Sequence, residues 1–367
     1  MKIERATLRE IPLRLKEFFK ISSGGSQDRR ILLLTLEGEG LQGWSECVAS
    51  ADPSYAYETT DTSWHILTDF ILPNVVGTEV HSPEDILAPV WWVRGHGMAK
   101  AAVEMAAWDM AARADGVSLS KKIGGVRDRV SVGVSIGIKE TDEELHEQVE
   151  SFLADGYARV KIKVMPGRDV DMLSGLCERF PDTVFMADAN SAYTLSDVDR
   201  LKALDPLNLL MIEQPLRYDD FLHHARLQEQ IDTPICLDES IKTEWDTELA
   251  LELESCRIIN IKPGRVGGLG TSCRIHDMME QAGLAVWCGG MLESGVGRAH
   301  NVALASLPNF TLPGDISASS RYWHRDIVSP EFTVMDGHMA VPTGPGIGVE
   351  IDTERIESIS TRVETFG

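Results

Sequence analysis

From about residue 130 onward, short apolar runs recur at intervals of about 25 residues: VSVGVSIG, then VKIKV, VFMAD, LLMIEQ, ICLDE, IINIKP, LAVWCGG and FTLPGD. Between them lie stretches of helical spacing, such as DEELHEQVESFLADG, DVDMLSGLCERF and LGTSCRIHDMMEQAG, and Gly156 and Gly283 read as helix C-caps. A strand, a helix and short loops together need about that many residues, and alternating units predict a parallel sheet. Eight strands predict a (β/α)-barrel rather than an open doubly wound sheet, for which no GxGxxG follows the first strand.

The first ~125 residues follow another pattern. RRILLLTLEGEGLQGWSEC predicts antiparallel strands with Gly-rich turns, and GMAKAAVEMAAWDMAARADG predicts an Ala-rich helix ending at Gly116. This divides the chain into an α+β cap over residues 1–125, a barrel over 126–325 and a segment, 326–367, expected to return to the cap.

Composition narrows the partners. The 367 residues carry a net charge of −22, which repels a phosphate backbone or an anionic membrane, so neither nucleic acid nor membrane is expected as a partner. Cys47, Cys177, Cys236, Cys256, Cys273 and Cys288 form no CxxC pair and read as small core residues of a reducing compartment. With no signal-peptide pattern and no run of 18 apolar residues, a cytoplasmic protein is expected.

Candidate chemistry lies where polar residues interrupt the apolar runs. In RVKIKV, residues 159–164, Lys161 and Lys163 share one face of a strand. Barrel active sites form at the C-terminal strand ends, and those ends carry Lys161 and Lys163, Asp188 and Asn190, Glu213, Asp238 and Glu239, then Asn260 and Lys262. Asp188, Glu213 and Asp238 are spaced 25 residues apart, which places them equivalently on three consecutive strands. Three converging carboxylates repel unless neutralised, and a hard cation with oxygen ligands, Mg²⁺ or Mn²⁺, suits them. Lys163 and Lys262 then stand on opposite walls with the carboxylates between. Such a metal would bind a substrate carboxylate and stabilise the enediolate formed when the α-proton leaves, while Lys161 depresses the pKa of a base at Lys163.

At VKIKV, ADAN, IEQP, CLDES and NIKPGRVGG the chain resembles the enolase superfamily, muconate-lactonizing subgroup. Through VWCGGMLESGVGRAHNVALASLPNFTLPGDISAS and GVSIGI it is most similar to the o-succinylbenzoate synthase / N-acylamino acid racemase family. The resemblance implies a (β/α)7β TIM-like barrel with an α+β capping domain formed by the N-terminal region and the C-terminal tail. It implies Mg²⁺, replaceable by Mn²⁺ or Co²⁺, held by Asp188, Glu213 and Asp238. Lys163 and Lys262 become the acid/base pair, Lys161 the charge that tunes Lys163, and Asn190 and Glu239 supporting groups behind the metal ligands. A lid loop near 18–28, in FFKISSGG with Phe18, Phe19, Gly24 and Gly25, would close over the substrate. Phe19, Tyr55, Ser135, Gly290 and Met291 would line its pocket. A small carboxylate substrate and a homo-oligomer are implied as well.

Two reactions share such a site: dehydration to o-succinylbenzoate in menaquinone biosynthesis, and racemisation of N-acylamino (N-succinylamino) acids. Dipeptide epimerase and muconate cycloisomerase are alternatives, as is an inactive barrel used as a scaffold. Against the epimerase, the Asp-x-Asp that holds a dipeptide's α-ammonium is replaced here by GDISAS, with Ile316 and Ser317 after Asp315. His96, His276 and His300 fall away from strand ends, which argues against a histidine base.

Overall fold

The computed structural model describes residues 1–21 and 24–367. Four antiparallel strands form the first sheet, in the order Arg362–Phe366, Arg5–Ile21, Gly24–Gly38 and Leu41–Cys47. The run ILLLTL is apolar without alternation because both faces of this sheet are buried. Ile11, Leu13, Ile31 and Leu33 face the main core, whereas Ala6, Leu8, Leu32, Leu34 and Leu36 face a second core under the helix Gly97–Ala114. That helix lies close on the sheet because Gly43 has no side chain, a Cβ there falling 2.0 Å from the Ala106 carbonyl oxygen.

The expected lid loop is a hairpin. Arg5–Ile21 and Gly24–Gly38 continue their pairing outward, with Phe19 opposite Ser26 and Lys20 opposite Gly25, after a register shift between Arg14 and Phe19. The bare Gly25 leaves room for the Phe18 ring, which would lie 2.5 Å from a Cβ at that position. Ser22 and Ser23 lie outside the described residues. Near the tip, the Lys20 carbonyl accepts from Ile138 N–H at 3.1 Å.

Seven parallel strands make the second sheet, in sequential order: Val134–Ile136, Arg159–Lys163, Val184–Asp188, Ile212–Glu213, Ile235–Leu237, Ile258–Ile261 and Ala285–Cys288. A helix intervenes between each consecutive pair, from Asp142–Ala154 to Leu269–Gln281. The sheet curls, and its inner face carries a small cluster of Met186, Met211, Cys236, Ile258 and Trp287. Helix ends obey local chemistry: Thr141 and Thr243 form capping boxes, and Gly156 and Gly283 take positive φ after the helices they end.

Two expected strands differ. VSVGVSIG divides into Arg129–Ser131, antiparallel to His338–Ala340, and Val134–Ile136 of the parallel sheet. Gly133 sits at the break, where a Cβ would meet the Arg159 side chain at 2.5 Å. FTLPGD forms no regular strand, since Pro313 has no N–H to donate and Gly314 no side chain to pack. It still bonds to both ends of the sheet: Asp315 N–H donates to Cys288 O at 2.9 Å, and Gly133 N–H donates to Gly314 O at 2.7 Å.

Candidate active site

Arg159, Lys161 and Lys163 share the inner face of one strand while Val160 and Ile162 pack outward, so three cations enter the barrel together. Across the sheet Lys163 is level with Asp188, and Asp188 with Glu213. Glu213 is level with Cys236, and Asp238 stands two residues beyond it on the same face. The parallel register thus gathers the three spaced carboxylates, all buried, at the strand ends.

Lys161 is enclosed. Its Nζ lies 2.6 Å from Asp315, 2.8 Å from Glu213 and 3.0 Å from Asp188, over the Trp287 ring. Burial pulls its pKa down, but Asp315, Glu213 and Asp188 outweigh that and hold it well above the usual lysine value, so it is a fixed ammonium. Lys163 donates to Asp188 and to Asn190 Oδ1, both at 2.6 Å. Both ammonium groups therefore share Asp188 Oδ2.

On the opposite wall Lys262 donates to Asp238 at 2.8 Å and to the Tyr55 hydroxyl at 3.0 Å. Burial lowers it, yet Asp238 and Tyr55 raise it above the ordinary value. Gly289 makes room for it, since a Cβ there would fall 2.6 Å from Lys262 Cε.

Of the expected supporting groups, Asn190 donates to Glu239 Oε1 at 2.9 Å, linking Lys163 to that buried acid. Phe19, Tyr55, Ser135, Gly290 and Met291 all line one cleft of about 120 Å³ together with Lys161, Lys163, Asp188, Asp238 and Lys262. Phe18, 58% exposed, does not line it. Tyr55 also bonds Asp238 at 3.2 Å. Gly290 is required by packing, a Cβ falling 2.5 Å from the Asp315 carbonyl oxygen.

Other site residues had no role assigned from the sequence. Arg265, in NIKPGRVGG, binds Asp238 and the Tyr55 hydroxyl. Gln214, in IEQP, accepts Asp238 N–H at 2.9 Å and so fixes that carboxylate's backbone. Arg159 donates to Asp315 at 2.6 Å, and Asp315 is thereby spent between two cations. The inward alternation of RVKIKV was the available signal for Arg159; nothing local marks its partner.

The donor set suits a hard divalent cation, being carboxylate oxygens alone. Burial, then the charge of Asp188, pushes Glu213 up to about 8, whereas against burial Lys163 and Lys161 hold Asp188 below the usual carboxylate range and Arg265 and Lys262 do the same for Asp238. Glu239 Oε2 and Asn260 Oδ1 are buried acceptors without a partner. A different group, His276, Asp277 and Glu280, also clusters, but both His276 nitrogens are engaged, with Asp277 and with Asn309 N–H.

Residues 144–356 match the family model described as enolase C-terminal domain-like. Residues 3–124 match that of the mandelate racemase / muconate lactonizing enzyme N-terminal domain. The o-succinylbenzoate synthase of Geobacillus stearothermophilus is 50% identical, over 99% of this chain and 97% of that one. The N-succinylamino acid racemase of Thermus thermophilus is 47% identical, over 98% of each. A solved structure of an enolase superfamily member from Listeria innocua superposes with a TM-score of 0.96 at 41% identity, covering 100% of this chain and 99% of that one. No described helix is long and apolar enough to cross a membrane.

Proposed function

This chain belongs to the enolase superfamily, in the o-succinylbenzoate synthase / N-acylamino acid racemase family of its muconate-lactonizing subgroup, and from that premise we propose that it abstracts the proton α to a substrate carboxylate. Its reactions are the dehydration that forms o-succinylbenzoate, the racemisation of N-succinylamino acids, or both at one site. The observation that carries this reading is the pair of lysines, Lys163 and Lys262, on walls that face each other across three buried carboxylates.

Asp188, Glu213 and Asp238 would hold Mg²⁺, which supplies the positive charge that stabilises an enediolate, the general pattern of this superfamily. Lys163 takes the α-proton. In dehydration Lys163 returns that proton to the departing hydroxyl, while the Lys262 ammonium stabilises the anion. In racemisation Lys262 delivers its own proton to the opposite face, and its raised pKa suits a group that begins protonated. Lys161, locked by Asp315, stays a cation beside Lys163 throughout. Asp315 is engaged by Arg159 and Lys161, which speaks against its receiving a dipeptide's α-ammonium.

The same reading divides the chain into a cap, residues 1–125, a barrel, 126–325, and a returning segment, 326–367. Pairing of Arg362–Phe366 with Arg5–Ile21 supports the last of these. It also takes the parallel sheet as a closed (β/α)7β barrel, supported by the bonds from residues 314 and 315 to both sheet ends. The test is steady-state turnover with Mg²⁺ of the o-succinylbenzoate precursor and of N-succinylamino acids. Turnover of neither sinks the proposal.

A further inference from the structure

Arg29 stands on the cap strand Gly24–Gly38 and lines the cleft, yet it is only 4% exposed. Its Nη1 donates to Ser50 Oγ at 3.1 Å and its Nη2 to the Met291 carbonyl at 3.3 Å, while Nε is buried with no partner. Among the described residues no carboxylate lies within 4.0 Å of this guanidinium. A buried cation is costly unless paired, and the other buried arginines at this site follow that rule: Arg159 meets Asp315 and Arg265 meets Asp238. Arg298 lacks a carboxylate too, but two carbonyls and the Tyr322 ring hold it, and it does not line the cleft.

The acids nearest to Arg29, which are Glu46, Glu293 and Asp52, make their hydrogen bonds to other groups, and the second oxygen of Glu46, Oε1, is buried without a partner and outside ion-pair reach of Arg29. Glu46 Oε2 accepts from Ser294 N–H and Oγ–H at the start of the helix Gly295–Ala305. Glu293 Oε1 accepts from Met291 N–H and from Asn301, and Asp52 Oδ1 accepts from Ser54 N–H. None of Arg29's own partners is a lysine or carboxylate of the barrel strand ends. The guanidinium fork is tethered on one side by the cap, through Ser50, and on the other by the barrel, through Met291, with N–H groups left to spend.

We propose that Arg29 receives a second, distal carboxylate of the substrate, so that the cleft selects dicarboxylates over monocarboxylates of the same shape. This rests on the function proposed above, in which the first carboxylate goes to the Asp188–Glu213–Asp238 end. The succinyl group common to both proposed substrates ends in such a carboxylate, and a planar fork recognises it through two parallel N–H···O bonds.

N-succinyl-L-phenylalanine and N-butyryl-L-phenylalanine, which differ by that carboxylate, provide the test on the magnesium-loaded full chain. Calorimetric Kd and kcat/KM are measured for wild type, Arg29→Gln and Arg29→Lys. The wild type should favour the succinyl compound by roughly 30- to 100-fold, the value of a charge-assisted buried pair. In Arg29→Gln that preference should collapse to within about threefold of unity, and Arg29→Lys should keep part of it, retaining charge without the fork. Should Arg29→Gln fail to fold, the wild-type preference and its partial loss in Arg29→Lys decide the matter. Equal affinity of the wild type for both compounds, or an equal loss for both in the variants, overturns the assignment. A wild type that binds with the preference but racemises neither compound keeps the role of Arg29 and removes racemisation, leaving dehydration as the reaction. Turnover without preference does the reverse.

Discussion

Replacing Asp315 by Asn should destabilise the protein and slow it, because Asp315 neutralises two buried cations at once. Its carboxylate lies 2.6 Å from Arg159, which is fully buried, and 2.6 Å from Lys161. Without that charge Lys161 keeps Glu213 and Asp188, but Arg159 keeps only the Pro313 carbonyl and the Trp287 face. Removing one partner of a buried pair costs about 3–5 kcal/mol. Asn preserves the shape and one acceptor, which places this variant near 3 kcal/mol, with Asp315→Ala nearer 5 because it adds a void. In a chain of this length each kcal/mol moves the melting midpoint by about 1.3 °C, so a fall of roughly 4 °C is expected for Asn. Lys161 should also relax towards Glu213, and a shift of that order in a group beside the base costs about 10- to 100-fold in kcat. Arg159→Met supplies the control. In the double variant no uncompensated guanidinium remains, so the two costs should sum to less than their parts by at least about 1 kcal/mol. An Asp315→Asn protein that melts within 2 °C of wild type, or costs that simply add, would refute the account of Asp315 as the shared counter-ion.

Chelation with EDTA should abolish turnover and leave the far-ultraviolet circular dichroism unchanged, since the core is apolar and independent of Asp188, Glu213 and Asp238; undiminished turnover refutes the metal assignment. In Lys163→Ala and Lys262→Ala, exchange of the α-proton with D₂O, followed by proton NMR, should survive for opposite enantiomers, and equal exchange of both in either variant removes the two-base scheme. Phe19→Ala should lower kcat/KM by one to two orders of magnitude for bulky apolar substrates, as the ring contributes roughly 1.5–3 kcal/mol on burial; an equal loss for every substrate would place Phe19 in cap packing alone. Glu104 binds Leu269 and Gly270 N–H, both at 2.8 Å, and burial pushes its carboxyl from 4.5 up to about 7. Between those values the folded chain holds a proton that the unfolded chain has lost, so this group's contribution falls as pH rises from about 4.5 to 7. The melting difference between wild type and Glu104→Gln should therefore narrow between pH 5 and pH 8, and a widening difference contradicts the sign.

The 25-residue period made the parallel sheet and its order legible, because each strand-helix unit is a local event. The strand-end carboxylates were legible for the same reason: parallel register converts equal spacing in sequence into neighbours in space, as at Lys163, Asp188 and Glu213. FTLPGD failed as a strand because apolar content alone does not overcome the missing N–H of Pro313. The pairing of Phe19 with Ser26 was not legible, because it extends strands whose burial pattern ends earlier.

Charge compensation was the part least accessible from the sequence, and the reason is geometric. The alternation that turns Lys161 and Lys163 inward turns Arg159 inward as well, so RVKIKV by itself specifies three buried cations. Whether that is tolerable depends on Asp315, 156 residues away, and so on how the last barrel segment meets the first strands. The site's electrostatics thus depend on how residues 314 and 315 bond to both ends of the sheet rather than on any one motif. Arg29 extends the point: its surroundings are defined by the carboxylates that do not reach it, and only the assembled cap and barrel determine that. A buried cation left unpaired after folding is a cost the fold carries until an anion arrives, and in an enzyme that acts on carboxylates the substrate is the anion at hand.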